Sequence, residues 1–107
     1  MESIKSKLQE VMKEVVSKRA EANTTLEIAE GKCAITQAQV MYWEQRYELE
    51  ATEAVGQKLD KAYDEDEKAY TEQRFAFEHY DTLEQVYSLL RDALDQLSDY
   101  EDWLNRQ

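Results

Sequence analysis

A chain of 107 residues with no proline, two glycines and a formal charge of −11 is expected to be one acidic domain, or half of an intertwined oligomer. Its acidity argues against direct binding of nucleic acid or anionic lipid and favours a basic protein surface as partner. Leu, Ile, Val and Phe supply only 21 residues, the edge at which a highly charged chain stays disordered. Seven Tyr, two Trp and three Met move it back, because aromatic side chains bury large areas while keeping a polar tip wet.

Ala, Glu, Lys, Leu and Arg make 50 of the 107 residues, the composition of long helices and coiled coils. The expected fold is all-α: an antiparallel long-helix hairpin or a three- or four-helix bundle with coiled-coil-like packing. Large aliphatics are too few for a robust monomeric core, so a homodimer or a partner helix is expected to complete the burial.

From the N-terminus, Ile4, Leu8, Val11 and Val15 are followed eighteen positions later by Ala22, Leu26, Ala29 and Cys33, and more loosely by Val40, Glu44, Tyr47 and Ala51. Eighteen residues are five turns of straight α-helix, so this series predicts one apolar stripe. Cys33 lies on it as a small hydrophobe, without a partner for an intrachain disulfide. Residues 1–7 lead into an amphipathic helix rather than an apolar run, and no stretch reaches the length of a membrane span, so a cytoplasmic protein is expected.

Gly31, with the capping box Thr36/Gln39 and an Ile35–Val40 staple, would divide this half into helices over 2–30 and 36–55. The alternative is a helix running straight through Gly31, because the stripe keeps its phase there and one glycine costs only about 1 kcal/mol against alanine. The two forms predict opposite effects of Gly31→Ala, and the broken form, with its loss of stability, is the expectation. At Gly56 the stripe loses phase, and a turn is expected there.

Beyond Gly56, the residues Leu59, Tyr63, Asp66, Tyr70, Gln73, Phe77 and Tyr80 alternate four and three apart, a heptad seam with two polar members. Capping boxes at Asp81 and Thr82 permit a further helix start. The last segment carries Leu83, Val86, Leu90, Ala93, Leu97, Tyr100 and Leu104 on one face, widened by Tyr87 and Leu94, and is expected to anchor the core. Unbroken, the two arms on either side of Gly56 would each extend about 75 to 80 Å, and at least one helix longer than twenty-five residues is expected.

No spacing in the chain fits catalysis, a cofactor or a metal. The run Asp64, Glu65, Asp66, Glu67 lacks the glycine and ligand spacing of a calcium loop, so its carboxylates should point around a helix. His79 is the only histidine; position 76 is Ala, which breaks the Glu-x-x-His pairing of a di-iron bundle, and no glycine-flanked serine accompanies it. An enzyme is therefore not expected, and neither is a cofactor.

The candidate binding features are charge and aromatics. Residues 1–32 are neutral, so all the net charge falls on the remainder. On the last segment Asp81, Glu84, Asp92, Asp95, Asp99 and Asp102 lie within an arc of about 80° opposite the leucine face. Such a one-sign row carries like-charge repulsion, with only Arg91 and Arg106 near it. Its carboxylates could substitute for nucleic-acid phosphates at a basic groove. Tyr42, Trp43 and Trp103 flank apolar faces and are residue types common at binding hot spots. The candidate partner-binding set is thus Asp92, Asp95, Asp99, Asp102, the 64–67 run, Tyr42, Trp43 and Trp103.

Two functions follow as expectations. The first is a non-catalytic adaptor or inhibitor that docks an acidic face on a basic protein such as a nucleic-acid-binding enzyme, in the manner of phage-encoded inhibitors of host defence. The second is a homo-oligomeric coiled-coil scaffold in which acidity only confers solubility.

Overall fold

The computed structural model describes residues 3–107 and consists of two α-helices, α1 (Ile4–Leu49) and α2 (Glu53–Asn105), packed antiparallel. Of the two expected architectures, the long-helix hairpin is the one formed. Ser3 caps α1, its hydroxyl accepting the Ser6 N–H at 3.1 Å; a start at residue 2 lies outside the described residues. Thr52 caps α2, its side chain accepting the Val55 N–H at 3.3 Å and its carbonyl the Gly56 N–H at 2.9 Å. Such N-caps satisfy amide donors that have no partner within the helix.

The break at Gly31 does not occur. Gly31 is helical, without positive φ, and a Cβ built there meets nothing within 4 Å. Thr36 is no cap either: its hydroxyl lies 3.1 Å from the Cys33 carbonyl, inside a continuous α1. The capping boxes at Asp81 and Thr82 likewise lie inside α2. A capping sequence is spare when the chain on both sides already has a partner helix, since tertiary packing outweighs one favourable end. The turn falls at 50–52 rather than at Gly56, which sits in the first turn of α2, where a Cβ would lie 3.4 Å from the Tyr47 ring.

The chain divides into two compact units: a terminal unit, Met1–Asn23 with His79–Gln107, and a turn unit, Thr24–Glu78. In the turn unit the buried residues of α1 are Leu26, Ala29, Cys33 and Val40, and those of α2 are Val55, Ala62 and Ala69. Half-buried Thr36 and Trp43 complete the series on α1, as Leu59, Asp66, Gln73 and Ala76 do on α2. Both series step by three and four residues, a heptad seam. In the terminal unit Val15 and Ala22 are buried, and half-buried Leu8, Met12 and Arg19 share their spacing. Opposite them Leu83, Tyr87, Leu90, Leu94 and Leu97 are half-buried.

The seam therefore follows seven residues, not eighteen, and this corrects three expectations. Ile4 and Val11 are exposed while their neighbours Lys5 and Met12 are half-buried, and Glu44, Tyr47 and Ala51 also fall on the exposed side. A contact line between packed helices repeats at 3.5 residues per turn, so an eighteen-residue series drifts off it by about 50° per repeat. On α2, Tyr63, Tyr70 and Phe77 are exposed and Ala62, Ala69 and Ala76 occupy the seam beside them. Alanine lets helix backbones approach closely, and the bulky ring one position on is displaced to the flank. Tyr100 and Leu104 are exposed, so the leucine face ends at Leu97. No helix is long and apolar enough to cross a membrane among the described residues.

Candidate interaction faces

In the terminal unit, Asp92, Asp95, Asp99 and Asp102 are all exposed on α2. Asp92 lies 3.8 Å from its chain neighbour Arg91; among the described residues no ion pair reaches Asp95, Asp99 or Asp102. At 1.5 Å rise per residue, successive carboxylates of the row stand about 5 to 6 Å apart along the axis. The other two members of the expected arc are engaged. Asp81 accepts the Gln85 amide at 2.8 Å. Glu84 accepts the Tyr80 hydroxyl at 3.0 Å and pairs with Arg19 at 3.2 Å.

Arg19 is a residue that sequence reasoning missed. Its guanidinium lies 3.9 Å from the centroid of the Tyr87 ring as well as against Glu84, so an arginine fills a seam position by stacking and pairing at once. The hydrogen bond to Glu84, and then burial, push the Tyr80 hydroxyl's pKa above its ordinary value. The only available signal was that position 19 falls four residues after Val15 and three before Ala22.

Trp103, also in the terminal unit, stacks on Tyr100 with centroids 6.0 Å apart, and both rings remain about half exposed. Tyr42 and Trp43 belong to the turn unit. Their rings meet edge to face at 5.0 Å. Trp43 is a seam residue, half-buried beneath the Lys58 ammonium at 4.9 Å, whereas Tyr42 is exposed beside Arg46.

The 64–67 run behaves as a helix surface with one member turned inward. Asp66 accepts the Thr36 hydroxyl at 2.7 Å across the seam, while Asp64, Glu65 and Glu67 are exposed. Among the described residues, no group of three ligating side chains converges as a metal would need. Asp66 also acts on Cys33: burial, and then the nearby charges of Asp66, Glu72 and Glu30, push the thiol's pKa above its ordinary value. The thiolate is the reactive form, so this cysteine is held in its unreactive state.

A second feature missed from sequence is a groove of the turn unit between α1 and α2. It is lined by Ile28, Ile35 and Phe75, all more than half exposed, over a floor of Ala29, Ala69 and Ala76. Lys32 bridges it to Glu72 at 3.5 Å. Comparison with protein families, with curated proteins and with solved structures gives no match to this chain.

Proposed function

We propose that the chain is a non-catalytic protein-binding module of adaptor or inhibitor type, which docks the acidic row of α2 on a basic protein surface. The observation that carries this reading is the exposure of Asp95, Asp99 and Asp102 without an ion pair, in a unit where Glu84 and Glu101 reach basic side chains across to α1. Carboxylates set a helical turn apart repel one another, and a basic partner relieves that repulsion. The same spacing suits a groove that otherwise holds phosphates, so nucleic-acid-handling proteins are the partner class.

The test replaces Asp92, Asp95, Asp99 and Asp102 together by Asn. The wild type should retain one basic protein from source lysate at low salt and lose it steeply towards physiological salt, because surface charges are screened. The quadruple variant should stay helical by circular dichroism and retain that protein at least tenfold less well. Full-strength retention by the folded variant would falsify the acidic-row reading.

A second reading, an assembly scaffold, is favoured by a different observation. The turn unit exposes Ile28, Ile35, Tyr63, Tyr70, Phe75 and Phe77 on its flanks. Apolar surface arranged in heptad register is the raw material of helical assembly.

A further inference from the structure

The turn unit has two chemically opposite flanks. Of its four lysines, Lys32 and Lys68 line the groove that holds Ile28, Ile35 and Phe75, accompanied there by Glu65 and Glu72, and Lys58 and Lys61 line the adjoining hollow, which shares Gln39 and Glu65 with it. On the other flank, exposed Tyr63 follows buried Ala62 by one position and exposed Glu44 follows half-buried Trp43 by one; burial, and then the neighbouring Glu44, push the Tyr63 hydroxyl's pKa above its ordinary value. Tyr70 and Phe77 follow Tyr63 at heptad spacing, and Glu30 precedes Glu44 by two heptads, so all share that flank. Asp60 and Glu67 each lie three residues before one of the tyrosines and neighbour it on the helix surface, as Arg74 does Phe77, so the flank is acidic in sum with one basic member. A basic aliphatic groove and an acidic aromatic ridge thus occupy opposite sides of one helix pair.

Three properties fit these flanks to each other. Their charges are opposite. Their apolar features share the seven-residue period: Ile28 and Ile35 on the groove wall, Ala69 and Ala76 on its floor, and Tyr63, Tyr70 and Phe77 on the ridge. The groove stays open above these buried alanines, between Ile28, Ile35 and Phe75, and rings at the same spacing are knobs for it. The area also agrees. The chain exposes 8255 Å², whereas a folded monomer of 12.6 kDa is expected to expose about 6,200 Å². The excess of roughly 2,000 Å², spread over the whole chain, is of the order that each partner buries in the larger permanent interfaces.

We propose that the occupant of the groove is a second copy of this chain, which inserts its Tyr63–Tyr70–Phe77 ridge between the lysines. The inference rests on the assembly reading and is independent of the acidic row. Because the two surfaces in contact differ, the interface is heterologous, and a pair of copies keeps one groove and one ridge free, one on each copy. Assembly therefore continues to a closed ring or an open fibre instead of stopping at a two-fold dimer.

Complementary charge reversals test this. Lys61→Glu with Lys68→Glu makes both flanks acidic, and Asp60→Lys with Glu67→Lys cancels the acidity of the ridge, the two new lysines offsetting Glu30 and Glu44; all four positions are exposed. By sedimentation velocity across the micromolar to millimolar range, the wild type should form species larger than a dimer. Each double variant, helical by circular dichroism, should associate at least tenfold more weakly, and an equal mixture of the two should associate again. A wild type that stays monomeric over the whole range overturns the proposal. So does a dimer that both variants retain, or a mixture no more associated than its components. None of these substitutions touches Asp92, Asp95, Asp99 or Asp102, so this result and the partner-capture result fail separately.

Discussion

The turn unit and the terminal unit run the same three-and-four spacing with different side chains, and they bury them differently. Among the described residues, seven of the nine that are buried belong to the turn unit, where small side chains such as Ala29, Cys33, Ala62 and Ala69 line the seam. The terminal unit has the larger side chains, yet Leu83, Leu90 and Leu97 are only half-buried. A fully buried core residue touches six or more neighbours, and one facing helix surrounds a methyl group more readily than an isobutyl group. Small residues therefore make up most of the turn unit's buried seam, where Leu26 is the one buried leucine, whereas the leucines of α2 in the terminal unit project past theirs towards solvent. No side chain among the described residues is both large and wholly enclosed.

The sharpest way to break this comparison is to exchange the side-chain sizes. Ala69→Leu should overpack the turn unit and cost up to about 3 kcal/mol. If thermal denaturation shows no loss, the close approach of the helices there is not what encloses the alanines. Leu97→Ala should cost about 2 kcal/mol, the lower end of the range for removing a leucine from a core, because the side chain is already half exposed. A loss beyond about 4 kcal/mol would mean that a third element covers this face in solution.

The smallest effect concerns the turn unit's backbone. With Gly31 inside a continuous helix and open space where its Cβ would go, Gly31→Ala should stabilise by about 1 kcal/mol. A lower melting temperature would restore a break at that residue. This sign is the reverse of the one the capping box suggests, because Gln39 and Thr36 read as a helix start only when the preceding turn has ended.

Much of the fold was legible. The absence of proline, the composition and the periodicity implied long helices, and Val15, Ala22, Leu26, Ala29, Cys33 and Val40 were all placed on the buried stripe. The leucines at 83, 90 and 97 were placed on the inner face of α2, and they lie there. Less of the candidate faces was visible. The row from Asp92 to Asp102 needed only helical geometry and is exposed as expected, but the inward turn of Asp66 onto Thr36 depends on a residue thirty positions away. The groove of Ile28, Ile35 and Phe75 was hidden for the same reason: its two walls come from different helices.

By itself, then, the sequence determined that the chain is helical, which broad face of each helix is apolar, and that net charge concentrates beyond residue 32, because these depend on composition and on spacing within one helix. Tertiary structure alone decided the register: Ala62 rather than Tyr63, Met12 rather than Val11, a seam period of seven rather than eighteen. Adjacent positions on a helix differ by only 100°, so an apolar stripe viewed alone tolerates a shift of one residue. The partner helix does not, because its backbone distance admits the small side chain and excludes the large one.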